Sequence, residues 1–173
     1  MILNLGSGKD WREDCLNSDI QARVNPDWCC DISRVNWGEV IETRFGPITI
    51  QTRMFEKIVA NDVLEHIPDL ISAMKNCKDL LVSGGEFHIN VPYDLSLGAW
   101  QDPTHVRAFN ENSWLYYTEW HWYLGWDDGF KLSELQFNLS EMGTQMSDKG
   151  IPDQEILRTP RAVDSMKVTL CKP

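Results

Sequence analysis

Basic residues are scarce in this chain: 16 Lys and Arg stand against 26 Asp and Glu, a formal charge of −10. That balance has the wrong sign for a surface that captures phosphate backbones, and it argues against nucleic acid as a bulk partner. Long apolar runs are missing too. No stretch approaches the ~18–20 residues that span a bilayer, and Met1-Ile2-Leu3-Asn4-Leu5 has neither the basic head nor the long apolar core of a signal peptide. A cytoplasmic protein without membrane association is expected. Cysteine occurs five times (Cys15, Cys29, Cys30, Cys77, Cys171), an odd number that never forms C-x-x-C. A disulfide framework and a zinc ribbon are thereby disfavoured, and reduced thiols are the expectation. No His/Cys/Asp cluster has the spacing of a zinc or magnesium site, so no metal is expected. Repeats and low-complexity tracts are absent as well. What is present is a globular mixture, 42% hydrophobic and 24% charged over 173 residues, enough for one domain of ~100–200 residues.

Along the chain, short strand candidates alternate with helical patterns. Ile2–Leu5 reads as a strand that stops at Gly6-Ser7-Gly8, and residues 16–20 and 27–32 read as two further strands, each ending in an acid followed by Ile. Residues 36–44 suggest a weak helix, followed by a Gly46-Pro47 turn into an edge strand or loop. A buried strand at 55–60 precedes Leu64, Ile67, Leu70, Ile71, Met74, Leu80 and Leu81 at helical spacing, and Gly84-Gly85 is expected to close that helix. Phe87–Val91 alternates as a strand and ends at Pro92. The fold class implied is α/β with a mainly parallel sheet. Residues 93–126 hold all four Tyr and five of the eight Trp, and 110–123 can form a helix capped by Asn110 or Asn112 that buries Trp114, Leu115, Tyr117 and Trp122. Residues 130–142 and 164–171 read as two late strands.

A glycine-rich turn after the first strand of an α/β sheet lets a ligand approach the backbone. Gly6-Ser7-Gly8 suits that, and serves equally as a plain turn. A dinucleotide fingerprint would need a third glycine where Trp11 stands, and an acid roughly 20 residues on, whereas Asp19 follows Gly8 by only 11 positions. The set of strand ends says more than the turn. Asp19 can accept hydrogen bonds from a ribose diol, Asp31 can accept from an exocyclic amine, and Asn61-Asp62 ends the next strand. Ligands of open α/β sheets sit outside such carboxyl ends, so four polar endings in order describe one pocket rim.

Leu3-Asn4-Leu5-Gly6-Ser7-Gly8, Asn17-Ser18-Asp19-Ile20, Asn61-Asp62-Val63-Leu64-Glu65-His66-Ile67, Gly84-Gly85 and Asn90-Val91-Pro92-Tyr93 together resemble the motifs of the class I S-adenosylmethionine-dependent methyltransferases. The resemblance implies a Rossmann-like sheet, mostly parallel with an antiparallel C-terminal strand and helices on both faces. It implies one domain over 1–173, with residues 93–126 as an acceptor or lid insertion. It implies S-adenosylmethionine as cofactor and S-adenosylhomocysteine as product. Gly6 and Gly8 would lie by the methionyl part, Asp19 by the ribose, Asp31 by the adenine, and Asn61 with Asp62 at the reacting face. Leu5, Ser7, Ile20, Ile32, Val63 and His66 would complete the cofactor pocket. Two departures stand out: Asn4 replaces the usual acid that pairs with the cofactor's amine, and the customary helix before the first strand is not expected, so the aromatic region after Pro92 would supply the lid. The strand-four motif is also not N/D-P-P-Y.

Asp102-Pro103-Thr104-His105-Val106-Arg107 is the densest polar run of the second half. Methyl transfer from a sulfonium needs alignment and a base for the acceptor's proton. His105 is the candidate base, with a structural role in a D-P-T-H turn as the alternative. Tyr93, Trp100, His105 and Arg107 are the expected acceptor contacts, Arg107 for an anionic portion. The expected reaction is O- or N-methylation of a small-molecule or saccharide-like acceptor. The rivals are a non-catalytic cofactor-binding or protein-interaction module using the aromatic segment, and an NAD-dependent oxidoreductase.

Overall fold

Alternation decides the sheet. In 87–91 and again in 166–170 every second side chain is apolar, so one face of each strand is dry and the other polar. In the computed structural model, which describes residues 1–173, these segments become inner strands of a seven-stranded sheet. Its members are β1 (Ile2–Leu5), β2 (Leu16–Asp19), β3 (Trp28–Cys29), β6 (Phe55–Asn61), β7 (Leu81–Pro92), β8 (Lys131–Leu139) and β9 (Val163–Cys171), in the order β3-β2-β1-β6-β7-β9-β8. The first five in that order run parallel, and β9 is antiparallel to both β7 and β8. This is the mixed α/β sheet expected. Strand order reverses at β1, which lies between β2 and β6, and ligands of open sheets bind at such a switch point.

Ile58, Ala60, Phe87, Ile89, Val91, Met166, Val168 and Leu170 form the centre of the core. Helix α1 (Leu70–Leu80) adds Leu70, Ala73, Met74, Cys77 and Leu80, an i, i+3, i+4, i+7 stripe, and the Asp69 carboxylate caps its start by accepting from the Ser72 amide. Three shorter helices follow: α2 (Gly98–Gln101), α3 (Glu141–Asp148) and α4 (Asp153–Arg158). No helix is long and apolar enough to cross a membrane. The alternate positions of β7, β9 and β8, among them His88, Asn90, Gln136, Asn138, Lys167 and Thr169, line a shallow polar trough, as the wet face of an antiparallel stretch can.

Three local expectations are corrected. Residues 36–44 are not helical: β4 (Val40–Thr43) pairs antiparallel with β5 (Gly46–Thr49) in a separate hairpin, because β-branched Val40, Ile41 and Thr43 favour an extended chain over a weak helical period. Helix α1 ends at Leu80, not at Gly84-Gly85. Leu81 is already extended, and the two glycines sit inside β7 where the pairing with β6 slips between Phe55↔Leu81 and Lys57↔Glu86. A Cβ on Gly85 would stand 2.9 Å from the Val82 carbonyl oxygen, so these glycines mark a bulge and not a helix end. Residues 110–123 form two 3-10 segments, Glu111–Tyr117 and His121–Leu124, in place of one α-helix. Asn110 caps the first as expected, in a reciprocal box with Ser113, and Trp114 and Tyr117 are buried on a three-residue repeat. That repeat does not continue to Trp122, which is 67% exposed.

Candidate active site

The connection from β1 to β2 contains no helix; side chains hold it instead. Gly6 has φ +64°, and a Cβ there would stand 2.4 Å from Val63 Cγ2, so the loop rests directly on the turn after β6. The Ser7 amide donates to the Ser18 carbonyl and the Gly8 amide to Asp19 Oδ2 at 2.9 Å. Asn4, 3% exposed, donates from Nδ2 to the Asp10 carbonyl (2.6 Å) and to Asn17 Oδ1 (3.0 Å). Asn17 is fully buried and in turn donates to the Arg12 carbonyl. From the β4–β5 hairpin, Arg44 donates to the carbonyls of Arg12 and Cys15 and lies over the rings of Trp11 and Phe45. Asn4 is thus committed to the loop and does not reach toward a ligand.

At the carboxyl ends of β1, β2, β3 and β6 lies a cleft of about 440 Å³. Of the expected cofactor residues, Leu5, Gly6, Asp19, Ile20, Asp31, Ile32, Asp62, Val63 and His66 all line it. Asp19 Oδ1 accepts from the Gln21 amide at 2.8 Å and Oδ2 from Gly8, which leaves one lone pair on each oxygen for a ligand. Asp31 Oδ1 accepts from the amide and hydroxyl of Ser33, leaving Oδ2 without a direct hydrogen bond. Ser7 and Gly8 do not line the cleft: Ser7 is buried, and the Gly8 amide is spent on Asp19. Asn61 is also misplaced by sequence reasoning. Its neighbour Asp62 adopts φ +53°, a left-handed turn that Asp tolerates, while Asn61 itself lines the polar trough on the sheet's wet face. The cleft adds Gln21, Cys30, Ile67, Pro68 and Thr104. Thr104 lies 38 positions from His66, and no local spacing signals that meeting.

A second cavity, about 550 Å³, opens beside the first, and Asp62 and His66 belong to both walls. Glu65, Asn90, Gln101, Asp102, His105 and Asp164 also line it, and neither Lys nor Arg does. Three expected acceptor contacts are corrected here. Tyr93 is buried and donates its hydroxyl to Glu111 at 2.7 Å. Trp100 is outside the cavity, largely in solvent, with Nε1 on the Asp94 carbonyl. Arg107 donates from one terminal nitrogen to the carbonyls of Ile67 (2.8 Å) and Pro68 (2.7 Å), so it ties down the turn before α1, and it lines neither cavity. Of the four, His105 alone reaches the cavity. The segment divides accordingly: its first third, around α2, walls the cavity, while Phe109, Trp114, Tyr117 and Trp126 pack into the core.

Glu65, His66 and His105 converge in that cavity, each with one ligand atom within 4.8 Å of the others, although sequence spacing hides the group because His105 is 39 positions from His66. Glu65 is 1% exposed and neither of its carboxylate oxygens has a hydrogen-bond partner. Burial pushes its pKa up to about 7, with the nearby Asp62 and Asp102 adding to the rise. The two rings stand edge to face, 4.6 Å between centroids. His105 Nδ1 lies 2.9 Å from the Ala99 carbonyl, an acceptor, so Nδ1 carries the proton. His66 Nδ1 lies 2.9 Å from Thr104 Oγ1, whose own proton goes to Asp102 Oδ1 at 2.7 Å, so His66 also donates from Nδ1. Each neutral ring keeps its lone pair on Nε2.

No protein-family model matches this chain, and no curated protein matches it. Solved structures do. A S-adenosylmethionine-dependent methyltransferase from Archaeoglobus fulgidus aligns over 99% of this chain and 85% of its own, with a TM-score of 0.62 at 15% identity. One from Mesorhizobium loti aligns over 98% and 89%, with a TM-score of 0.57 at 12% identity. The fold is that of the S-adenosylmethionine-dependent methyltransferases. The same fold also carries a cyclase, SpnF, similar over 99% of this chain and 75% of its own with a TM-score of 0.62 at 12% identity, so the architecture does not by itself fix the reaction.

The methyltransferase cofactor fits what the cleft offers. The glycine at position 6 lets the loop backbone pack directly on Val63 at the edge of the cleft, Asp19 retains acceptor capacity of the kind a ribose diol needs, and Asp31 with the apolar Ile32 and Ile20 offers an edge and faces for a purine. The volume lies inside the ~300–1,000 Å³ of small-molecule sites. The cofactor's amine has no counter-acid at Asn4, whose amide already donates twice.

Proposed function

We propose that the protein transfers a methyl group from S-adenosylmethionine to oxygen or nitrogen of a polar, non-anionic small molecule, saccharide-like acceptors included, releasing S-adenosylhomocysteine. The observation that carries this reading is the shared wall: a cleft suited to the cofactor and a second cavity meet at Asp62 and His66. Bound in the cleft, the cofactor would supply an electrophilic methyl group on a sulfonium. Asp62, Asp102 and Asp164, joined by Glu65 when it is ionised, give the second cavity a negative field, which disfavours carboxylate and phosphate acceptors and suits hydroxyls and amines. Asn90, Gln101 and Ser165 add neutral hydrogen-bonding groups of the kind that hold polyhydroxylated ligands. His105, with Nδ1 anchored on the Ala99 carbonyl, has Nε2 free to take the acceptor's proton.

A partner-binding role draws support from one feature, the exposed aromatic group of Tyr116, Trp120, Trp122 and Tyr123, which touch one another edge to face at the surface. The oxidoreductase alternative is weakened further by the helix-free connection after Gly8, which provides no helix N-terminus for a pyrophosphate. The test is calorimetric titration with S-adenosylhomocysteine and with NAD, followed by methyl-transfer assays over neutral, amine and carboxylate acceptors. Binding of the first ligand and turnover of neutral or amine acceptors is the expected result. Binding of NAD alone would overturn the reading.

A further inference from the structure

We propose that Glu65, His66 and His105 form a binding site for a divalent first-row transition-metal ion. One ligand atom each from the Glu65 carboxylate, His66 and His105 lie within 4.8 Å of one another, and the hydrogen bonds at both Nδ1 atoms leave Nε2 as the ring nitrogen open to a further partner. A buried carboxylate with both oxygens unpartnered is costly unless a cation or proton sits against it. Two histidines and one carboxylate are a recurring ligand set for zinc and for non-haem iron, with positions left open for a substrate. Imidazole nitrogen selects such an ion over magnesium or calcium, which take oxygen.

The outer contacts have the form that metal-binding histidines require. Each ring donates its other nitrogen to an acceptor that fixes its orientation: His105 to the Ala99 backbone carbonyl, His66 to Thr104, itself held by the Asp102 carboxylate. Ligands at ~2.0–2.2 Å from an ion in a tetrahedral or facial site stand roughly 3–3.6 Å apart, so from separations within 4.8 Å a closure of about 1–2 Å by side-chain rotation brings the three onto one centre. Asp62, Asp102 and Asp164 on the same wall add attraction, and no Lys or Arg opposes it. An ion there takes Nε2 of His105 as a ligand. In the loaded protein a coordinated acceptor hydroxyl would then be ionised by the ion, its proton passing to solvent, and His105 would act as base only without metal.

The experiment uses the full chain, stripped with a chelator and titrated calorimetrically with Zn2+ alone. Saturable binding of one equivalent is expected, and Glu65→Gln and His66→Ala should each weaken it by at least ~10–100-fold, the cost seen even for outer-shell partners. His88→Ala, which removes a separate histidine–glutamate pair on the wet face of the sheet, should leave it unchanged. Loading with Co2+ should give visible ligand-field bands without a thiolate charge-transfer band. Absence of saturable Zn2+ binding, retention of it in both variants, or a thiolate band placing the ion at a cysteine would each overturn the site. Should a variant not fold, pulsed electron paramagnetic resonance of the Cu2+-loaded wild type counts the coordinated imidazoles; two are expected, and none or one overturns the proposal. Neither cofactor nor acceptor is needed, so failure here leaves the methyl-transfer reading standing, and failure of that reading leaves this one standing.

Discussion

At the scale of single residues, the identity of Asn4 is explained by what surrounds it. Both of its outward contacts are acceptors, the Asp10 carbonyl and Asn17 Oδ1, and an amide can donate to both where a carboxylate cannot. Asn4→Asp, the change that would restore the usual acid of the fold, should therefore destabilise the protein by about 1–3 kcal/mol, the cost of setting a buried acceptor against acceptors. Urea unfolding of the two proteins measures this, and equal midpoints would mean that the loop is held by other contacts. Asp19 has the converse arrangement, with two amides already donating to it and acceptor capacity left over. Asp19→Asn keeps one acceptor oxygen but loses the charge, so S-adenosylhomocysteine should bind about 10–150-fold more weakly, equivalent to ~1.5–3 kcal/mol for hydrogen bonds to a charged group. Unchanged affinity by calorimetry would move the ribose away from Asp19.

At the scale of elements, the β4–β5 hairpin matters because Arg44 reaches from it to the carbonyls of Arg12 and Cys15, supplying donors to a connection that has no helix of its own. Arg44→Leu removes the donors and the guanidinium's stacking on the Trp11 ring together, so amide hydrogen exchange of residues 9–15 should accelerate and cofactor affinity should fall, while α1 keeps its protection. Uniform exchange across the variant would sink this view of the hairpin. The hairpin is also where the sequence was least legible. Alternating apolar residues made β7 and β9 readable, because one face of each is dry, whereas β1 and β6 were readable as short apolar runs and β2 by the acid that ends it. Residues 36–44 bury little, so their pattern carried only weak local preference. Gly84-Gly85 misled because the same residue pair serves a helix end and a strand bulge. Glu65, Thr104 and His105 meet only through the path of the chain between β7 and β8. A further element-level contact is the ion pair of buried Lys78 on α1 with Asp128, 2.5 Å apart. Lys78 holds the Asp128 carboxyl below the ordinary carboxylate range, so its stabilisation is present above the unfolded value near ~4 and is lost as pH falls through the lower folded value. Melting temperatures from pH 6 down to pH 3 should decline less steeply in Asp128→Asn than in the wild type.

At the scale of the whole molecule, the sheet's switch point places the first connection, the β6 turn and the shared wall of the two cavities at one end of the strands. The walls of the cleft come from Gly6, Asp19, Asp31 and Asp62, each at the end of a different strand, so a ligand there ties together four segments that backbone pairing leaves separate beyond the strand ends. Beyond the backbone bonds of Ser7 to Ser18 and of Asp10 to Ser7, the helix-free loop is held by side-chain hydrogen bonds. A ligand that binds only the folded chain stabilises it by mass action, about 2.7 kcal/mol at a concentration 100 times its dissociation constant. For a domain of this size about 1 kcal/mol corresponds to ~2–4 °C, so S-adenosylhomocysteine at that excess should raise the melting temperature by roughly 5–11 °C. The rise should be accompanied by slower amide exchange in residues 6–12, because Gly6 and Asp19, which holds the Gly8 amide, both line the cleft, whereas NAD should produce neither effect. A melting temperature that does not move with S-adenosylhomocysteine, or a rise with no change in the loop, would place the ligand elsewhere than the cleft at β1, β2, β3 and β6.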